Sequence, residues 1–156
     1  YNICMVITFC GHSKVQNEKM VYEKLKAELT NIFNRAETKH TELTFYCGGY
    51  GDFDFIAART VNELKDEFPD INCSNIFVTP YITENYKYKN EQMRKIFDEI
   101  IYPPIESVPY RYAIPRRNEW MATNSDLLIA YVIYSWGGAA KTLEYAKRKG
   151  KKIIML

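Results

Sequence analysis

The chain has 156 residues, a net charge of +2 from 21 basic and 19 acidic side chains, and 47% hydrophobic residues. That length fits one domain of ordinary size, and the apolar content supports a real core and excludes a disordered chain. The near balance of charge argues against a protein whose main task is gripping a nucleic-acid backbone, and no apolar run reaches the ~18 residues of a membrane helix.

In chain order the pattern alternates strand, turn and helix. Residues 2–10 (NICMVITFC) are a near-continuous apolar run, which predicts a strand buried on both faces. The run lacks a basic leader and a small-residue cleavage site, so it reads as a first strand and not as a signal peptide. After Gly11-His12-Ser13, an amphipathic stretch to about residue 36 carries Val21, Leu25, Leu29, Ile32 and Phe33 at helical spacing. Residues 42–47 predict a second strand, Gly48 to Asp52 a turn, and Phe53 to Phe68 a helix stopped by Pro69. Residues 75–79 predict a third strand.

The middle is less regular. Residues 90–101 read as helical up to Pro103-Pro104, 105–115 as extended or loop, and 116–124 as a short helix. Residues 126–134 (DLLIAYVIY) predict a strong strand, Ser135 to Gly138 a turn, 139–149 a helix closed by Gly150, and 151–156 a last strand. The chain stops inside the apolar run Ile153 to Leu156, which predicts a strand cut short with residues beyond 156. The expected architecture is α/β: one three-layer Rossmann-like domain over 1–156, with a mostly parallel sheet flanked by helices. Right-handed crossovers would then bring the turns at 10–13, 48–54 and 135–142 together at the carboxyl edge of the sheet.

Two glycine turns are the first candidates for chemistry. In Cys47-Gly48-Gly49-Tyr50-Gly51-Asp52, glycine lets backbone approach a ligand, and the helix start that follows favours an anion. The spacing matches neither G-x-G-x-x-G nor a P-loop, and a tight turn with no ligand is the alternative. In Gly137-Gly138-Ala139-Ala140, with Thr142 one turn inside, nothing bulky blocks the helix start; close helix–sheet packing is the alternative. Arg117 could pair with phosphate, and Asn118 could read a base or ribose, against the plainer role of a solvated arginine pair Arg116-Arg117. His12 could bond a ligand or cap the next helix. Asp52 and Asp54 could read ribose or simply complement a helix dipole, and Ser125 and Asp126 could cap the strand entrance. The cysteines Cys4, Cys10, Cys47 and Cys73 form no C-x-x-C pair, so neither a metal site nor a disulfide framework is expected, and a reducing, cytoplasmic setting is.

Taken in order, FCGH (9–12), CGGYGDFDFIAA (47–58), PY (80–81), RRNEWMATNSDLLIAY (116–131) and WGGAAKTLEYAKRKGK (136–151) resemble the SLOG superfamily, the Rossmann-like domains named for the SMF/DprA and LOG (Lonely Guy) proteins. Within it the chain is most similar to the YpsA-like branch of small stand-alone proteins. The resemblance spans essentially the whole chain. It implies binding or sensing of a nucleotide or nucleotide-derived small molecule held between the glycine turns, with no certain cofactor. It carries Gly11, Gly48, Gly49, Gly51, Asp54, Arg117, Asn118, Ser125, Asp126, Gly137, Gly138 and Thr142 onto the ligand-site motifs. His12, Asp52 and Ala139 join this set by adjacency.

LOG relatives hydrolyse a nucleoside monophosphate to base and ribose 5-phosphate, and their arginine stands four residues before a methionine, as Arg117 does before Met121. Their PGG-x-GT motif reads here WGGAAKT, with Trp136 for the proline and one extra residue before Thr142. The catalytic pair under this alternative is Arg117 with Glu144, although one inserted residue rotates a helical carboxylate by ~100°. DprA relatives bind single-stranded DNA, which is the second alternative. The expected partner is a nucleotide-derived small molecule; nucleic acid is expected to be an unlikely partner, no membrane partner is expected, and homo-oligomerisation is open.

Overall fold

The computed structural model describes residues 3–156; Asn2, the first residue of the expected opening strand, lies outside them. Strand β1 (Ile3–Gly11) is followed by helix α1 (Glu18–Lys39), β2 (Thr41–Cys47), α2 (Asp52–Glu67) and β3 (Cys73–Val78). A short helix α3 (Lys87–Met93) and a three-residue strand β4 (Glu99–Ile101) come next, then α4 (Ala113–Thr123), β5 (Leu127–Tyr131), α5 (Gly138–Arg148) and β6 (Lys152–Met155). The six strands lie in the order β4-β3-β2-β1-β5-β6, and every pairing is parallel. This is the expected Rossmann-like α/β fold.

Alternation along the strands builds the three layers. Ile7, Phe9, Phe45, Phe77, Leu127 and Ile129 share one core with the buried stripe of α1 (Val21, Leu25, Leu29, Ile32, Phe33) and with Phe53, Val61 and Leu64 of α2. Cys10, Leu128 and Ala130 face the other way, onto Ala122 of α4 and Leu143 and Ala146 of α5. Asn75 is a fully buried polar residue beside the first core. Its amide donates to the Ala58 carbonyl and to Asn62 Oδ1 and accepts from the Cys47 thiol, so its burial leaves no group unmatched. Helix α1 starts at Asn17, whose side chain accepts from the Met20 N–H, and ends on His40 in the left-handed region at φ 55°.

The sequence reading departs from the structure most at 90–101. Met93, Phe97, Ile100 and Ile101 keep the i, i+4, i+7, i+8 spacing of a helix face, yet α3 stops at Met93 and Glu99–Ile101 adds a strand beside β3. Asp98 decides the switch. Its carboxylate accepts from the Asn75 N–H at 2.8 Å and from Lys65 Nζ, and its own N–H donates to the Asn75 carbonyl at 2.9 Å, which pins the chain to the sheet edge.

Strand order reverses between β1 and β5, and ligands of open α/β sheets bind in the crevice outside the carboxyl ends at such a point. At the opposite, amino edge, Asp126 ties β5 to β1: its N–H donates to the Val6 carbonyl at 2.7 Å, and its carboxylate accepts from the Val6 N–H at 2.8 Å. Ser125 is buried there, with its hydroxyl on the Met121 carbonyl. Asp126→Ala should therefore lower the unfolding free energy by about 1.5–3 kcal/mol, the worth of a hydrogen bond to a charged group. Chemical denaturation measures that loss, and ligand affinity should stay unchanged.

Candidate functional site

The three turns converge as the crossover rule requires. They enclose a cleft of about 360 Å³ at the carboxyl ends of β1 and β5, walled by residues 10–14, Tyr50, Gly51, Asp54, Arg117, Asn118, Tyr134, residues 136–139 and Thr142. The structure brings Gly11, His12, Gly51, Asp54, Arg117, Asn118, Gly137, Gly138, Ala139 and Thr142 of the expected set to this cleft. Gly48, Gly49 and Asp52 stand behind its wall. Ser125 and Asp126 sit at the far edge of the sheet, where Asp126 ties β5 to β1 and Ser125 bonds back to α4. Glu144 is exposed on α5, two residues and so roughly 200° around the helix from Thr142, and lies outside the cleft. No Arg117–Glu144 pair is formed.

The first glycine turn is closed by packing. The N–H groups that open α2 are already used: Asp52 donates to the Ser13 carbonyl at 2.9 Å and Phe53 to the His12 carbonyl at 3.4 Å. The Asp52 carboxylate accepts from the Val15 N–H, and Asp54 Oδ2 from the Tyr50 N–H. A Cβ on Gly51 would sit 2.7 Å from Ser13 Cα, and one on Gly11 would fall 2.2 Å from the Phe53 ring. Glycine serves there to let two loops and a ring close together, which is the plain-turn alternative. An anion held by the amides near Gly49–Asp52 finds no free N–H at Tyr50, Asp52 or Phe53.

The second glycine turn is open. A Cβ on Gly137 or Gly138 would meet nothing within 4 Å, and Gly137 takes φ 93°, a conformation that favours glycine. The N–H groups of Gly138, Ala139 and Ala140 have no acceptor among the described residues; the first satisfied amide is Lys141, on the Gly137 carbonyl. No acidic residue occupies this first turn and no side chain caps it. The Thr142 hydroxyl donates its proton back to the Gly138 carbonyl, so it has only acceptor lone pairs left to offer the cleft. Three free donors stand at the positive end of an eleven-residue helix, an arrangement that favours negative charge.

Arg117 forms the floor. It is 2% exposed, with Nη1 donating to the carbonyls of Gly48 (2.8 Å) and Val78 (2.6 Å) and Nε to Asn118 Oδ1 (2.9 Å). Its Nη2 has no acceptor among the described residues. A Cβ on Gly48 would lie 2.9 Å from Asp54 Oδ2 and 3.3 Å from Arg117 Nη2, so Gly48 keeps the space between carboxylate and guanidinium clear. Burial raises the Asp54 pKa, with the Tyr50 N–H and then Arg117 opposing it. The guanidinium stays charged. Tyr50 adds a buried hydroxyl with no partner among the described residues, and burial pushes its pKa up to about 12. Burial also pushes the Cys10 thiol up to about 12, which removes it as a nucleophile.

His12 does structural work at this site. Its Nε2 accepts from the N–H groups of Ile133 (2.9 Å) and Tyr134 (3.4 Å), which places the ring proton on Nδ1 and latches the loop between β5 and α5 onto β1. Sequence reasoning missed Tyr134, Trp136, Lys14 and Tyr50 as wall residues. The available signal was position, since each stands beside a glycine turn or at a strand end.

No protein-family profile matches the chain. It is 28% identical over 141 residues to an uncharacterised SPbeta prophage-derived protein, YoqJ, of Bacillus subtilis strain 168, covering 80% of this chain and 81% of that one. Among solved structures it is similar to DNA processing protein A (DprA) of Streptococcus pneumoniae, with TM-score 0.61 and 14% identity over 98% of this chain and 50% of that one. It is also similar to DNA processing protein A of Helicobacter pylori, with TM-score 0.58 and 17% identity over 97% of this chain and 64% of that one. The chain thus spans between half and two thirds of these proteins, and at such identities the likeness is one of fold. The Helicobacter pylori structure is described for its single-stranded DNA binding mode. That finding corrects the expectation that nucleic acid is an unlikely partner: a net charge of +2 averages over the whole chain, whereas a phosphate is held by a few local donors. The chain is therefore a Rossmann-like domain with the fold of DNA processing protein A.

Proposed function

We propose that the cleft holds a nucleotide unit by its phosphate, on the free N–H groups of Gly138, Ala139 and Ala140, and that single-stranded DNA is the source of that unit. The open, uncapped start of α5 carries the reading. Arg117 Nη2 supplies charge from below, and Asp54 and Asn118 stand where a sugar or base edge would lie. The fold shared with DNA processing protein A supports DNA as the source.

A second reading, binding or sensing of a free nucleotide-derived small molecule, is favoured by the cleft itself. Its volume of about 360 Å³ falls within the range of small-molecule sites, and it ends on buried polar groups. Nucleotide N-glycosidase chemistry has no such support: Asp54 is the carboxylate in the cleft wall, and Glu144 faces outward. The ordered motifs support placement in the YpsA-like branch, residues 1–156 are taken as one binding domain, and four free cysteines fit a reducing compartment. No helix among the described residues is long and apolar enough to cross a membrane.

Gly138→Asp tests the phosphate seat. The position is exposed and open, and a carboxylate at a helix start favours the helix, so the melting temperature should hold or rise. Affinity for a labelled oligothymidylate in fluorescence anisotropy, and for AMP in calorimetry, should fall at least about tenfold through charge repulsion. Unchanged affinity for both would refute the seat.

The His12 latch makes the site pH-dependent. Burial lowers the His12 pKa from its ordinary 6.5, so the unfolded chain takes up the proton first. The latch contributes its full stability above about pH 6.5 and loses it as pH falls through the folded value. Denaturation curves from pH 7.5 to about pH 5 should show this loss. His12→Gln, whose side-chain oxygen can still accept, should reduce the slope.

A further inference from the structure

From the ring geometry beside the α5 seat we infer that Trp136 is a base-stacking platform, so that the site selects ligands carrying a nucleobase as well as a phosphate. The inference rests on the nucleotide reading above and deepens it.

Trp136 is 69% exposed and stacks on the exposed Tyr134 in a segment that also exposes Ile133, an apolar patch of the kind that marks an interaction site. It is nonetheless held in place. The Tyr134 ring stacks on it, with centroids 4.9 Å apart and planes 19° apart, and the His12 ring lies 4.8 Å beyond Tyr134. The ladder is rooted in the core: His12 meets Tyr131 edge-on at 6.0 Å, and Tyr131 stacks on Phe53 at 6.1 Å. The backbone of the same segment is fixed independently, because the N–H of Tyr134 is bonded to His12 Nε2. One face of the indole is taken by Tyr134; the other is free for a further ring.

Position supplies the rest. Trp136 directly precedes Gly137 and Gly138, so at most ~7 Å of extended chain separates it from the free amides of α5. Trp136, Gly138 and Ala139 line the same cleft. A ligand whose phosphate sits on those amides therefore has its attached base within reach of the indole. Every base has a π-face, so stacking of this kind tolerates any sequence and suits a mononucleotide or a unit of single-stranded nucleic acid equally. A pre-ordered ring also loses little freedom on binding.

The chain has two tryptophans, Trp120 and Trp136, and Trp120 lies outside the cleft against Tyr46. In a Trp120→Phe variant the emission therefore reports Trp136 alone. Titration with AMP, a short oligothymidylate and ribose 5-phosphate, each followed by fluorescence and by calorimetry, tests the platform. AMP and the oligonucleotide should quench the indole along the same curve as the heat, and ribose 5-phosphate should bind without quenching. Trp136→Ala should weaken the base-carrying ligands about 5- to 100-fold and ribose 5-phosphate less than about twofold, with Trp136→Phe between. Tighter oligonucleotide than AMP binding would assign DNA as the source, and the reverse would assign a free nucleotide. Heat without quenching, and equal affinities in Trp136→Ala, would overturn the platform while leaving the phosphate seat standing. A shift of Trp136→Ala from dimer to monomer in sedimentation, with nucleotide affinity unchanged, would overturn it in favour of a self-contact. Absence of heat with all three ligands would overturn the phosphate seat and the platform with it.

Discussion

The site depends on a buried guanidinium. Arg117 leaves α4, crosses beneath the cleft and binds the carbonyls that end β2 and β3, so one side chain joins a helix to two strand ends. Burying a cation is costly unless its donors are matched and a counter-charge is near. Here Nη1 and Nε are matched by Gly48, Val78 and Asn118, and Asp54 stands across the gap that Gly48 keeps open. The same arrangement raises the Asp54 pKa by burial and lowers that of Arg117, each partly held back by the other. One donor arm, Nη2, has no acceptor among the described residues, and the guanidinium carbon lies 5.5 Å from the centre of the Tyr50 ring.

Around that floor the two glycine turns divide the labour. The turn at Gly48 to Asp52 is spent on internal contacts: its amides bond to the loop after β1, and its glycines make room for Ser13 and Phe77. The turn at Gly137-Gly138 has open space where its side chains would project and leaves three amides free. His12 links the two halves, since its carbonyl accepts from Phe53 while its ring holds the second loop. Loss of that ring's acceptor would move the open turn without touching the closed one.

Much of the fold was legible because its causes are local. The stripe Val21, Leu25, Leu29, Ile32, Phe33 and the run at 127–131 state their period and burial directly. β4 was not legible, since Met93, Phe97, Ile100 and Ile101 imitate a helix face and the deciding contact, Asp98 with Asn75, joins residues 23 apart. The cleft was legible as a convergence of turns, for the crossover rule is topological. The share of each residue in it was not. Whether a glycine frees an amide or admits a neighbour depends on what packs above it, and Gly51 and Gly138 look alike in sequence. Ser125-Asp126 and Glu144 were carried in by motif position, and the first pair proved to belong to the amino edge of the sheet and the last to the outer face of α5. Position alone offers His12 as a ligand contact or helix cap; its ring nitrogen instead meets a loop 121 residues away.

The amide resonances of α5 test the central claim most directly. In a nitrogen-15 labelled sample titrated with inorganic phosphate and then with AMP, the account predicts the largest shifts at Gly138, Ala139 and Ala140. It predicts small shifts at Asp52 and Phe53, whose N–H groups are already bonded. Shifts centred on the start of α2, or spread over the surface with none at Gly138 to Ala140, would contradict it.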